Sequence, residues 1–250
     1  MALLPQSLIF LQMHPMHDFR RFSIIIPTLD EASGIVPLLA GLREWREGGA
    51  EIIVVDGGST DGSQEAAAPL ASLLLTSRRG RARQMNAGAA KAHGDILVFL
   101  HADTRLPPRA LESIASAIAS GAHWGRFDVR IDGHLRGLRL VAWMMNWRSR
   151  LTGIATGDQA IFVTRQAFAQ VGGFADLPLM EDIVLSRDLR RISWPACLRQ
   201  RVNTSGRRWQ RHGLLPTILK MWRLRWRFFC GAQPADLARE YGYLPDDPQP

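Results

Sequence analysis

FSIIIP (Phe22–Pro27), EIIVVDGGSTDG (Glu51–Gly62) and DILVFLHADT (Asp95–Thr104) are the stretches that decide the fold. Each begins as an unbroken apolar, β-branched run and ends on proline, glycine or a charged residue. A strand without polar alternation is one buried on both faces. Between them the spacing changes to a helical one. Ile35, Leu38, Leu39, Leu42 and Trp45 predict a helix over 33–47 with Ser33 as a candidate cap, and a second helix is expected to begin near Ser63. Leu73–Thr76 reads as a short strand and Arg81–Ala92 as an alanine-rich helix. Strands that alternate with helices over short connections predict an α/β fold, a Rossmann-like, mostly parallel sheet with helices on both faces. Ligands of such sheets sit at the carboxyl ends of the strands, where Asp30, Asp56, His101 and Asp103 fall.

Beyond Ala119 the pattern loosens. A Trp/Arg-rich stretch from Trp124 to Arg150 shows no clear period, Ala160–Thr164 is a strand candidate, and a helix is expected over Glu181–Arg191. The expected organisation is a disordered leader (1–21), an α/β domain (22–205), a basic aromatic helical appendage (206–244) and a disordered Pro/Asp tail (245–250). The apolar leader is broken by Pro5, Gln6, Gln12, His14 and Pro15 and lacks the positive start of a secretory signal. It reads as dispensable, with Met13 and Met16 as alternative starts.

Lys and Arg number 31 against 23 Asp and Glu, a formal charge of +8, which points to an anionic partner: nucleotide phosphates, an acidic membrane surface or nucleic acid. No nucleic-acid recognition module accompanies that charge, so no nucleic-acid partner is expected. Cys197 and Cys230 imply no disulfide framework, and no uncharged stretch reaches the ~20 residues that cross a bilayer. The expected compartment is the cytoplasm. Leu214–Phe229 is amphipathic, with Leu215, Ile218, Leu219, Trp222, Trp226 and Phe229 on one face and Lys220, Arg223 and Arg227 beside it. Two readings stand: an interfacial anchor on the inner face of the plasma membrane, or a terminal helix packed on the domain.

Four constellations carry chemistry. In IPTLDEA (Ile26–Ala32) and VVDGGSTDGS (Val54–Ser63), a carboxylate ending a buried strand beside a glycine turn can accept hydrogen bonds from a base or ribose, while backbone N–H groups face phosphate. Asp61 reads as an ordinary turn or cap residue; the strand-end position of Asp56 favours binding. In LHADT, His101 and Asp103 are two apart, so along an extended chain both side chains leave on one side and can address one metal. In GRARQMNAG (Gly80–Gly88), Arg81 and Arg83 add cations to the start of a helix, a diphosphate cradle or a solvated arginine face. In GDQAIFV (Gly157–Val163) and GGFADLPLMEDIVLSRDLRR (Gly172–Arg191), Glu181 and Asp182 open an amphipathic helix. Capping and general-base readings of that pair are level.

In this order the four segments resemble the family 2 glycosyltransferases of GT-A fold, over about Phe22 to Arg191. GRARQMNAG, FLHADT and PLMEDIVLSR are most similar to a bacterial subgroup of selenodomain-associated or arsenosugar-biosynthesis glycosyltransferases. The resemblance implies a hexosyltransferase-like enzyme moving sugar from a UDP- or other NDP-sugar to an acceptor hydroxyl, with inversion and with Mn²⁺ or Mg²⁺ as cofactor. The acceptor stays open, lipid-linked or a small molecule. It assigns Pro27, Thr28, Asp30, Glu31, Asp56, Gly57, Arg81, Arg83 and His101 to the donor, Asp103 and His101 to the metal, and Gly157, Asp158 and Gln159 to the acceptor side. Asp182, with Glu181, matches the catalytic base. His101 stands where the family has the first aspartate of D-x-D, and imidazole there favours Mn²⁺. Arg207, Arg208 and Trp209 partly resemble the family's Q-x-x-R-W element. A nucleotidyltransferase and a non-catalytic nucleotide- or membrane-binding protein are the alternatives.

Overall fold

The structure, a computed structural model, describes residues 19–243. Most of the expected leader and the whole expected tail therefore lie outside the described residues. The chain is already packed at Phe19, which is buried against the first helices and whose N–H donates to Gly48 O at 2.9 Å. The described residues thus include three that precede the expected domain start at Phe22.

Four strands, β1 (Phe22–Thr28), β2 (Glu51–Asp56), β3 (Leu73–Thr76) and β4 (Ile96–Phe99), lie parallel in the order β3-β2-β1-β4. Their apolar residues point alternately to two cores. Ile24, Ile26, Ile52, Val54 and Val98 meet helix α1 (Ala32–Gly41) and helix α5 (Ala110–Ala119) on one face. Ile25, Ile53, Val55, Leu97 and Phe99 meet helix α4 (Arg81–Lys91) on the other. Both faces being covered is why these strands read as continuous apolar runs. Gly88 is where α4 touches the sheet: a Cβ there would lie 2.5 Å from Ile25 Cγ2 and 3.0 Å from Val55 Cγ2.

The helix expected over 33–47 is two helices, α1 and α2 (Arg43–Glu47), parted at Leu42. Ser33 does not cap it, because the helix begins at Ala32 and its first N–H groups are taken by the loop after β2. Glu31 N donates to Ser63 Oγ at 2.8 Å and Ala32 N to Asp61 Oδ2 at 2.9 Å. Asp61 also accepts from Ser63 N at 3.1 Å, at the start of α3 (Ser63–Ala67). It therefore serves two helix starts at once.

The second half, which showed no period, supplies the rest of the eight-stranded sheet. A two-residue β5 (Thr104–Arg105), β6 (Trp124–Asp132), β7 (Ile161–Thr164) and β8 (Ala196–Ser205) complete the order β3-β2-β1-β4-β7-β6-β8-β5. β7 runs antiparallel to β4 and β6, and β6 runs parallel to β8 with a register shift at Phe127/Asp128. Helix α6 (Leu138–Thr152) is fastened to β6 by a buried polar network. Fully buried Arg126 donates to Ser149 Oγ at 3.0 Å, to Asn146 O at 3.1 Å and to Asp128, whose carboxylate also holds Arg150 at 2.7 and 2.8 Å. Asn146 in turn exchanges two hydrogen bonds with the Val129 backbone, at 2.8 and 3.0 Å.

Helices α7 (Arg165–Gln170) and α8 (Glu181–Leu189) join the core shared with α4. The chain then ends in α9 (Arg207–His212), α10 (Leu214–Phe229) and α11 (Pro234–Tyr241). Leu224 and Leu237 of the last two pack on Leu179, Met180 and Ile183 at the start of α8. Among the described residues no helix is long and apolar enough to cross a membrane.

Candidate functional site

A cavity of about 660 Å³ opens at the carboxyl ends of β1 and β4. Its sheet side carries Pro27, Thr28, Glu31, His101 and Asp103; Arg81 and Gln84 enter from the start of α4. Gly157 and Asp158 of a short 3-10 turn (Gly157–Gln159) and Glu181 and Asp182 at the start of α8 form a second wall. The third wall comes from α6 with Arg148, from α9 and α10 with Arg208, Trp209, Trp222 and Arg225, and from Tyr241 and Tyr243.

Asp182 is held at both oxygens. Oδ2 accepts from Gly157 N at 2.9 Å and Oδ1 from Ile183 N at 2.7 Å, which ties the 3-10 turn to the start of α8. Each oxygen keeps a second lone pair. Glu181 beside it is buried, and burial, reinforced by the Asp182 charge, pushes its carboxyl above the usual glutamate range despite nearby Arg81. Met180, just before the pair, has φ 70, a left-handed conformation uncommon for a residue with a long side chain.

Asp158, in the same wall, has 46% of its side chain exposed and Oδ1 3.4 Å from His101 Nδ1. Burial works to raise its pKa, but His101, Arg81 and Arg208 outweigh it and hold the carboxyl below its ordinary value. Arg81 is shifted upward: burial opposes its charge, and Glu181, Tyr241 and Asp158 more than compensate. Arg208 lies over the Tyr241 ring, 3.8 Å from its centroid, and burial raises the Tyr241 phenol. The His101 ring packs on Gly157 so closely that a Cβ there would come 2.2 Å from Nε2.

His101 and Asp103 do not turn to a common point. His101 faces Asp158, whereas Asp103 Oδ2 lies 3.8 Å from Arg207 Nη2, whose guanidinium also grips both oxygens of Glu31 at 2.9 and 3.0 Å. The chain turns at this point, with Thr104 N donating to His101 O at 3.0 Å, so the extended geometry that would align the two side chains is not present. Among the described residues no three His, Cys, Asp or Glu side chains form a metal cluster.

Of the other expected donor residues, Asp30, Asp56, Gly57 and Arg83 do not line the cavity. Asp56 Oδ2 accepts from Gly58 N at 2.8 Å, Ser59 N at 2.9 Å and Gln64 Nε2 at 2.8 Å, and Oδ1 from the Ser59 hydroxyl, so its own turn fills it. Asp30 accepts from Thr60 N at 2.9 Å and locks the two loops together. Arg83 pairs with Asp176 at the surface. Gln159, expected on the acceptor side, is buried and caps the 3-10 turn with Thr156. Gln84, which no motif singled out, donates to Thr28 O and Val55 O, both at 2.8 Å, and so fixes the ends of β1 and β2. Arg148, Arg225, Tyr241 and Tyr243 were likewise unmarked. The only available signal was that the chain has just two tyrosines, both close to its end.

The Glycosyl transferase family 2 model matches residues 23–169, more than half of the chain. Over 183 residues the chain is 30% identical to a dolichol-phosphate mannosyltransferase of Pyrococcus furiosus, covering 70% of this chain and 50% of that protein. It is 30% identical over 145 residues to an undecaprenyl-phosphate 4-deoxy-4-formamido-L-arabinose transferase of Aeromonas hydrophila, covering 54% and 42%. The chain thus spans about half the length of the curated relatives it matches. Among solved structures, the mannosyltransferase PcManGT of Pyrobaculum calidifontis, in complex with GDP-Man and Mn²⁺, superposes with a TM-score of 0.56 at 22% identity, over 73% of this chain and 56% of that one.

Proposed function

The chain belongs to glycosyl transferase family 2 and has the GT-A fold, and from that premise we propose that it moves a sugar from a nucleoside-diphosphate sugar to an acceptor hydroxyl with inversion. The observation that carries this reading is the cleft itself. Carboxylates able to take a proton, Asp182 and Glu181, share one cavity with guanidinium groups able to hold a diphosphate, Arg81 and Arg208. The donor lies along the strand ends with its diphosphate near Arg81 at the start of α4, where cation and amide dipoles add. Asp182 takes the proton of the acceptor hydroxyl while the new bond forms at the anomeric carbon. The bond to the diphosphate breaks, and the electron pair leaves with the nucleoside diphosphate. Gly157 N and Ile183 N orient Asp182 for that step.

A divalent ion fits at Asp103 rather than at a three-residue cluster. Mg²⁺-type sites commonly use one or two carboxylates plus substrate phosphates, and Asp103 faces the cavity with a third of its side chain exposed. Such an ion, when bound, neutralises charge on the departing diphosphate. The Mn²⁺ in the PcManGT complex supports a divalent cofactor. His101 serves instead to hold Asp158.

Thermal-shift screening of UDP- and GDP-sugars, with and without Mn²⁺, tests the proposal. A ligand at a hundred times its Kd adds about 2.7 kcal/mol of stability. The expected result is a donor that stabilises the chain strongly only with metal and then yields nucleoside diphosphate in the presence of an acceptor. Release of pyrophosphate would identify a nucleotidyltransferase instead, and no response to any nucleotide would remove the reading.

Membrane contact is part of the same proposal. Leu215, Leu219, Trp222, Trp226 and Phe229 form an exposed stripe on α10, and Leu140, Trp143, Trp147 and Leu151 form another on α6. Both helices line the cleft. Arg223 and Arg227 beside the α10 stripe pair with Glu240 of α11. Co-sedimentation with phosphatidylcholine vesicles should fall sharply on Trp143→Ser/Trp226→Ser; undiminished binding would return both stripes to a protein-packing role.

A further inference from the structure

Two arginines in the third wall of the cleft carry buried guanidinium nitrogens with no partner. Arg148 Nε and Nη2 and Arg225 Nε are shut off from solvent and make no hydrogen bond, although both residues line the cavity. Buried polar groups without partners are rare, and an unpaired buried charge is costly, so each such group in a native structure asks for a ligand or another cause. Here there are two of them, on facing helices, and each carries a positive charge. The Arg148 guanidinium is depressed to about 10 by burial first and then by the charge of Arg225, with Asp182 opposing. Asp182, the carboxylate whose charge acts on Arg148, accepts its hydrogen bonds from Gly157 N and Ile183 N, not from either arginine. Arg126, the other cation acting on Arg148, is already saturated by Asp128, Ser149 and Asn146.

We propose that Arg148 and Arg225 form a subsite for a phosphate group carried by the acceptor. This deepens the transferase reading and rests on it only for the word acceptor. A dianionic phosphomonoester matches two unpaired guanidinium charges, whereas one carboxylate neutralises only one, and guanidinium forks suit phosphate geometry. The subsite is separate from the donor diphosphate. Arg148 and Arg225 come from α6 and α10, and the charge that acts favourably on Arg148 is that of Asp182, the base. Arg81, on α4, answers to Glu181 and Asp158 instead. An acceptor anchored through its phosphate would present its nucleophile next to Asp182. Met144, Met145, Met221 and Trp222 beside the arginines leave room for an apolar stem. The same headgroup chemistry belongs to a lipid phosphate and to a small phosphorylated alcohol.

Calorimetric titration of inorganic phosphate into the full chain, wild type and with Arg148→Met or Arg225→Met, tests the subsite directly and needs no donor. Wild type should bind phosphate, and each variant should bind it at least ~10-fold more weakly, the loss expected when one charge-assisted contact goes. Arg81→Gln should keep phosphate binding while nucleotide binding falls, so failure of the subsite and failure of the donor assignment remain distinguishable. Melting the unliganded chain gives a second readout: removing an unpaired buried charge should leave the melting temperature equal or raised. A large fall in either variant would show that the guanidinium has a structural partner and overturn the proposal, as would unchanged phosphate affinity or no binding by wild type. Two further arms separate the sources. Stronger binding to phosphatidylcholine vesicles when they contain phosphatidic acid, lost in Arg148→Met, identifies a lipid headgroup. Competition by glycerol 3-phosphate without any vesicle response identifies a soluble acceptor.

Discussion

The parallel half of the sheet, β1 to β4, and the mixed half, β6 to β8, are built from different materials. In the first, every residue of β1 is buried, and the sandwich of two apolar cores is so regular that strand and helix both follow from side-chain spacing. In the second, β6 reads WGRFDVRID and β8 ACLRQRVNTS, and Arg126, Asp128, Asn146 and Arg150 add a polar network between α6 and β6 to the apolar packing of Phe127, Val129, Leu138 and Val141. Both halves gain stability from apolar area, while the second also depends on a buried polar network in which a deletion leaves polar groups unpaired. The cleft lies where the two halves meet, with most groups proposed for the donor on the first and those proposed for the acceptor on the second. The comparison can be broken or sharpened at four places.

The largest effect belongs to the hinge of the two halves. Asp182→Asn keeps the size of the side chain but cannot take a proton, and its amide nitrogen cannot accept one of the two bonds from Gly157 N and Ile183 N, so transfer should fall by ~10²–10⁴-fold while donor affinity holds. Near-normal turnover with a lowered melting temperature would make Asp182 a structural clasp between α8 and the 3-10 turn. Next in size is Arg126→Ala in the polar half. It takes one of two cations from Asp128 and strands the buried Ser149 and Asn146 acceptors, and breaking such a buried network costs up to about 3–5 kcal/mol. Chemical denaturation should show that loss, and a cost below about 1 kcal/mol would mean that Arg150 alone holds Asp128.

The apolar half has its own sensitive point at Gly88. A methyl group there meets Ile25 and Val55, and since overpacking typically costs about 1–3 kcal/mol, Gly88→Ala should destabilise the chain even though alanine is the better helix former. A stabilised variant would show that α4 can slide away from the sheet. Arg126→Ala and Gly88→Ala touch no common residue, so their effects on stability should add.

Legibility followed the same division. FSIIIP, EIIVV and DILVF announced buried parallel strands, and Asp103, Glu181 and Asp182, singled out at strand and helix ends, line the cleft. GRARQMNAG was legible as a unit but not in its parts. Of its residues Arg81 reaches the cavity, whereas Arg83 pairs at the surface, Gln84 stitches β1 to β2, Asn86 clamps Phe174 and Gly88 admits the sheet. A motif marks a tightly specified place in a fold, and ligand contact is only one way to be so specified. Asp56 teaches the same, since the strand end that favours a ligand also obliges the chain to turn, and its carboxylate serves the turn. α6 escaped notice because Arg126 and Asp128 interrupt the apolar pattern of β6 and Trp143 and Trp147 face outward, so burial periodicity was masked on both elements. Arg148 and Arg225 depend on a pairing across α6 and α10 that no linear pattern records.

The smallest effect is a pH dependence that compares two carboxylates of the cleft's second wall, Glu181 and Asp158. Glu181 is raised by burial and by Asp182, so the folded chain holds a proton there more tightly than the unfolded chain does. Its contribution to stability is greatest below the unfolded glutamate pKa. It declines as pH rises through the folded value, at no more than about 1.4 kcal/mol per pH unit for one proton, and is level beyond. Asp158 is opposite in sign. Burial tends to raise it, but His101, Arg81 and Arg208 bring the net shift below its ordinary value, so its stabilisation is present above the unfolded aspartate pKa and disappears as pH falls through the folded one. The two windows do not overlap: Glu181 acts just above the usual carboxylate range and Asp158 just below it. Urea unfolding at a series of pH values should therefore show, for Glu181→Gln, loss of the decline on the upper side with the acid limb intact, and for Asp158→Asn, a weakened acid limb with the decline intact. If the upper decline survives in Glu181→Gln, the proton belongs to Asp182 or is shared by the pair. A base that keeps its proton into that range would then also show a rise of turnover with pH, measurable on the same samples.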